Sequence, residues 1–140
     1  AFEHWKKLVS KTIAEAQRLE KLQIYARWLQ AELSELTSTT AHLLSVSESG
    51  DAEVFLSDAT LYMELFGLVC VGWQWLLQGL AAQRKLQLTS LSSDEVLFYR
   101  SKIETMQFFF HYELRKTKGL HERLKDEKVL TVMKEPEVLI

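Results

Sequence analysis

Proline occurs once and glycine five times in 140 residues. That is too little punctuation for a sandwich or barrel of many short strands, which needs turn residues about every ten positions. A helical chain is therefore expected. The single cysteine, Cys70, excludes an internal disulfide and leaves no cysteine cluster for zinc. An excess of one charge is also missing. Lys and Arg number 17 against 19 Asp and Glu, a net charge of −2, which gives no global attraction to nucleic acid or to an anionic membrane. What is present is apolar material. At 47% hydrophobic and 26% charged, the composition excludes disorder and suits one soluble globular domain that buries about two thirds of its unfolded surface. Nothing at the N-terminus reads as a signal peptide, because Phe2, Trp5, Leu8 and Val9 are interrupted by Glu3, Lys6 and Lys7. A cytoplasmic chain is expected. Ala1 in place of Met is consistent with a processed chain or with a piece of something longer.

Apolar positions Phe2, Trp5, Val9, Ile13, Ala16, Leu19, Leu22, Tyr25, Leu29, Leu33, Leu36 and Leu43 recur mostly at threes and fours, as one buried helical stripe requires. An unbroken helix of that length would run about 70 Å, so a bend or break is expected near Arg18 to Leu22. The polar cluster ending in Gly50-Asp51 closes this pattern and offers Asp51 as the cap of a second helix, about Glu53 to Leu86. Ser92-Ser93-Asp94-Glu95 has the Ser-x-x-Glu spacing of a capping box. A third helix starts there, with Val96, Tyr99, Ile103, Met106 and Phe110 on one side and Arg100, Glu104, Gln107, His111, Arg115 and Lys118 opposite. Gly119 ends or kinks it, Leu120 to Lys128 add a short helix, and Val129 to Ile140, with Pro136, read as an extended tail. The expected fold is all-α: one domain over 1–128, an up-down bundle of three long helices, with a broken first helix or the C-terminal segment as the fourth element.

The second helix contains Leu65 to Ala82, close to the ~18 apolar residues that span a bilayer. Its polar exceptions argue otherwise. Glu53, Ser57, Thr60, Glu64, Gly67, Gln74, Gln78 and Lys85 form one narrow line, which suits a bundle helix in water better than a helix in lipid. Gly67, Gly72 and Gly79 each cost about 1 kcal/mol of helix propensity, and close helix approach is their expected use.

Catalytic constellations are scarce. The chain has no Glu-x-x-His pair, no Gly-rich phosphate loop, and no Gly-x-Ser-x-Gly elbow. His4, His42, His111 and His121 lie on separate segments and read as solvated or locally bonded. Cys70, between two valines, reads as a small hydrophobe. Two charges stand out. Lys102 projects toward the aromatic side of the third helix, and Glu64 sits in the apolar second helix. One reading pairs Lys102 with Glu64 or Asp58 as a register-fixing ion pair; the other has Lys102 snorkelling to water. The Arg115 to Lys128 segment holds six Lys or Arg against three Asp or Glu. It reads as a solvated helix end, or as a basic patch for phosphate or lipid head groups.

Two ordered blocks, LYMELFGLVCVGWQWLLQGLAA at 61–82 and FYRSKIETMQFFFHYELRKTKGL at 98–120, resemble the C-terminal helical domain of large FAD-dependent acyl-CoA dehydrogenases. The matching positions are Tyr62, Phe66, Gly67, Trp73, Phe98, Tyr99, Lys102, Phe108, Phe109, Glu113 and Leu114. One position departs: Arg115 follows Glu-Leu where the family often has proline, so the third helix is expected to run on to Gly119. The resemblance implies a non-catalytic domain, with the flavin site and the catalytic carboxylate in preceding domains and no catalytic, cofactor or metal residue carried over here. The implied parent reaction is FAD-dependent α,β-dehydrogenation of acyl-CoA thioesters. The implied partners are the preceding dehydrogenase domains and a second subunit, with neither nucleic acid nor membrane expected. The alternatives are a free-standing helical interaction module, with a homodimer as one form of it, and a peripheral membrane binder using Arg115 to Lys128.

Overall fold

The computed structural model describes residues 1–48, 52–128 and 130. Among them the chain is helical and has no strand: α1 (Phe2–Gln17), α2 (Gln23–Glu48), α3 (Ala52–Ser57), α4 (Ala59–Leu86), α5 (Ser93–Phe108) and α6 (Thr117–Lys125). The expected cap at Asp51 and, apart from Leu130, the expected tail over 129–140 lie outside the described residues.

The long first pattern breaks where its length demanded. Leu19 adopts extended backbone (φ −106°, ψ 116°), and Glu20–Leu22 form a single 3₁₀ turn that carries Leu22 into the core. Across the gap, Gln23 Nε2 donates to the Gln17 carbonyl at 3.0 Å, satisfying a helix-end acceptor that α1 leaves open. The expected break thus yields two helices, α1 and α2, and the broken first pattern supplies the fourth long member of the bundle. The second helix also divides, at Asp58 between α3 and α4.

Side-chain contacts give the topology. Trp73 of α4 donates to Thr12 of α1 (2.9 Å), and Arg84 reaches Glu15 (3.7 Å), so α1 and α4 run in the same direction. Thr40 near the end of α2 meets Tyr62 near the start of α4 (2.8 Å), which makes that pair antiparallel. Gly72 of α4 faces Leu114 while Gly79 faces Met106, so α5 returns alongside α4. The result is an up-down bundle with α4 in contact with α1, α2, α5 and α6. Its core is built from Val9, Ile13, Leu29, Leu36, Leu65, Val69, Leu76, Met106, Phe110 and Leu114.

The α4 helix, Ala59–Leu86, is long and apolar enough to cross a membrane by length and composition. Its apolar side is occupied by the bundle, with Leu65, Val69, Leu76 and Leu80 buried. Thr60, Glu64, Gly67, Gln74, Gln78 and Lys85 of the expected polar line are all exposed. Gly72 and Gly79 serve close approach, whereas a side chain at Gly67 would meet open space.

Ser92 and Glu95 form the reciprocal capping box that starts α5 (Glu95 N to Ser92 Oγ 3.1 Å; Ser92 N to Glu95 Oε1 3.2 Å). The helix does not run on to Gly119. It ends at Phe108, widens into a π turn over Phe109–Glu113, tightens into a 3₁₀ turn over Leu114–Lys116 and resumes as α6 with Gly119 inside it. The spacing of the buried residues explains the change. Met106, Phe110 and Leu114 are fully buried at consecutive steps of four, and two such steps overshoot an α-helical turn. A π turn takes up the excess.

Candidate functional site

The break after α5 sets a run of side chains against α2. From α2 come Tyr25, Trp28, Glu32 and Thr39; from the broken segment and α6 come His111, Arg115, Thr117 and His121. Each pairing follows the parallel course of the two elements. Tyr25 Oη lies 3.1 Å from His111 Nε2, and the Arg115 guanidinium carbon lies over the Trp28 ring, 4.8 Å from its centroid. Deeper in, Thr117 Oγ1 donates to Glu32 Oε1 (2.6 Å), His121 Nε2 faces Glu32 Oε2 (3.4 Å), and His121 Nδ1 contacts Thr39 Oγ1 (2.7 Å).

This inner cluster has the order hydroxyl, imidazole, carboxylate, but not the access that nucleophilic catalysis needs. Thr39 is 0% exposed, so no substrate reaches its oxygen. Its chemistry is hydrogen-bond satisfaction: among the described residues, no buried side-chain nitrogen or oxygen lacks a partner. Sequence reading placed His121 among the scattered histidines and did not single out Thr39 or Thr117. The α2 stripe did contain a signal. Between Leu36 and Leu43 it skips one rung, which is position 39, and a buried threonine fills it.

Burial pushes the Tyr25 hydroxyl up from its ordinary value. Burial also raises the Cys70 thiol, with a hydrogen bond to Trp5 opposing it in part; the thiol is half-buried and disfavoured as a thiolate. At the far end of α6, a hydrogen bond from Lys125 (2.7 Å) holds the Glu35 carboxyl below the usual range against a smaller desolvation effect. A depressed carboxylate stabilises the fold above its unfolded pKa, and that stability is lost as pH falls through its folded value. Both partners are well exposed, so the contribution is small. Replacing Lys125 with Met is expected to move the Glu35 titration upward toward the ordinary carboxylate range, as read from its carboxyl carbon shift.

The expected ion-pair residues are not brought together. Asp58 pairs with Arg123 (3.3 Å), and Glu64 is exposed. The Lys102 ammonium lies over the Phe98 ring, 5.3 Å from its centroid. No ion pair among the described residues joins Lys102 to either carboxylate. No group of three or more His, Cys, Asp or Glu among the described residues could hold a metal ion.

The most distinctive surface is apolar. On α5, Leu97 is 68% exposed, Phe98 55%, Phe108 54%, and Tyr112 just beyond it 66%. Phe108 and Tyr112 stack at 4.5 Å. Ser101 and Thr105, between them, turn their hydroxyls back onto the carbonyls of Phe98 (2.6 Å) and Ser101 (2.9 Å). The polar atoms of this face are therefore already satisfied by its own helix.

The described residues thus form an α-helical bundle with a satisfied interior and an exposed aromatic face. Residues 5–134 match the model of the family described as acetyl-CoA dehydrogenase C-terminal like, and the chain belongs to that family. No curated protein and no solved structure matches it.

Proposed function

We propose that this chain is the non-catalytic C-terminal bundle of an acyl-CoA dehydrogenase and that it supports subunit assembly. The parent would carry out FAD-dependent α,β-dehydrogenation of acyl-CoA thioesters in the cytoplasm. The flavin and the proton-abstracting carboxylate would belong to preceding domains. Family membership supports the parentage. The observation that carries the assembly role is the exposed line Phe98, Phe108 and Tyr112, with Leu97 beside it. A chain that can pack Phe110 and Met106 without exposure has no folding reason to leave three aromatic rings in water, and rings of this kind anchor interfaces.

Two experiments test the two parts separately. Reading the gene upstream is expected to show a dehydrogenase catalytic region in frame; its absence would leave a free-standing interaction module and remove the parentage. In the full-length protein, Phe98→Ser combined with Phe108→Ser is expected to weaken subunit association by about tenfold or more by sedimentation, as loss of central aromatic anchors does. An unchanged association constant would remove the assembly role while leaving family membership untouched.

A further inference from the structure

Half of the six Lys and Arg side chains of the basic segment at 115–128 are spent on internal ion pairs. Lys116 bonds Glu113 (2.6 Å), Arg123 bonds Asp58 (3.3 Å), and Lys125 bonds Glu35 (2.7 Å). Arg115 and Lys118 make no ion pair with any described residue. Together with His111 they follow one another at steps of four and three along the broken helix, and all three line one open cleft of about 470 Å³ beside Trp28.

Two of the three groups are held against α2. The Arg115 guanidinium carbon lies over the Trp28 ring, 4.8 Å from its centroid, and its N–H groups are suited to a bidentate oxyanion. Tyr25 is only 7% exposed, and its hydroxyl lies 3.1 Å from His111 Nε2. That contact occupies Nε2 and leaves Nδ1 as the ring nitrogen for a ligand. Glu32, the carboxylate lining the same cleft, is already engaged by Thr117 and His121. Glu104 borders a separate cleft on the other side of His111 and Arg115, which places an anion on the Trp28 side.

We propose that the cleft between Trp28 and the His111, Arg115 and Lys118 side chains binds a phosphate monoester. A tetrahedral dianion presents three oxygens to a guanidinium, an ammonium and the second imidazole nitrogen, one more than a carboxylate can. The ester is either a free molecule or a lipid head group, and the same chemistry serves both.

The test titrates this chain with inorganic phosphate at constant ionic strength and follows Arg115 Nε–H, the His111 ring and the Trp28 indole by NMR. Saturable shifts confined to these groups are expected. Arg115→Gln is expected to weaken binding by about tenfold, the size of a lost charge-assisted hydrogen bond. Arg115→Lys should fall between, and Lys7→Gln, at an exposed position on α1, should change nothing. A parallel arm sediments the chain with phosphatidylcholine vesicles containing phosphatidic acid. Vesicle binding that Arg115→Gln abolishes assigns the source to lipid; saturable phosphate binding without vesicle binding assigns it to a free ester. Unsaturable shifts spread over all surface cations would overturn the site, as would an affinity that Arg115→Gln leaves unchanged in a protein of unaltered circular dichroism.

Discussion

Phe110→Ala is expected to destabilise the chain by about 3–5 kcal/mol, a loss typical of a large ring removed from a packed core. Phe110 is 0% exposed and meets Tyr25 edge-on at 5.3 Å and Trp28 at 5.7 Å, geometries that add about 0.5–1.5 kcal/mol beyond burial alone. The cavity would open inside the π turn, between the Tyr25 ring, whose hydroxyl meets His111, and the Trp28 ring, which Arg115 covers. Against a total stability of about 5–15 kcal/mol for a domain, the variant should show a strongly lowered urea midpoint at unchanged slope. Phe108→Ala, two residues earlier but 54% exposed, should shift the midpoint little. Equal losses at the two positions would mean that the π turn does not orient its rings as described.

Most of the fold was readable because helix periodicity survives in one sequence. The break near Arg18 to Leu22, the capping box at Ser92 and the wet line of α4 all follow from local pattern and length. The end of the third helix did not follow: the absence of proline at position 115 points to continuation, whereas the two consecutive steps of four from Met106 to Leu114 point to a break. Those steps were visible; their consequence depends on all three residues being buried at once, which is a tertiary fact. The Lys102 pairing failed to form for a related reason. A lysine on an aromatic face has two ways to place its charge, and Phe98, one turn away on the same helix, accepts the ammonium without any inter-helix partner. The clusters against α2 were illegible because Glu32 and His121 lie 89 residues apart, and nothing in either segment names the other.

The Gly79 position makes the sharpest test of how α4 and α5 meet. A Cβ built at Gly79 would collide with the Met106 thioether, whose side chain is fully buried. Gly79→Leu is therefore expected to overpack the contact, at a cost toward the upper end of about 1–3 kcal/mol because Met106 is fully buried, which exceeds the ~0.8–1 kcal/mol that leaving glycine gains in helix propensity. The same change at Gly67, where a side chain would meet open space, keeps only the propensity gain and should stabilise. Opposite signs at two glycines of one helix separate packing from intrinsic propensity within a single scaffold. Met106→Ala alone should cost about 2–5 kcal/mol as a cavity, but in its presence Gly79→Leu has space to enter, so the double variant should lose less than the sum by about 1 kcal/mol or more. Strict additivity in urea denaturation would mean that Gly79 and Met106 do not touch, and with that contact would go the register of α5 on α4.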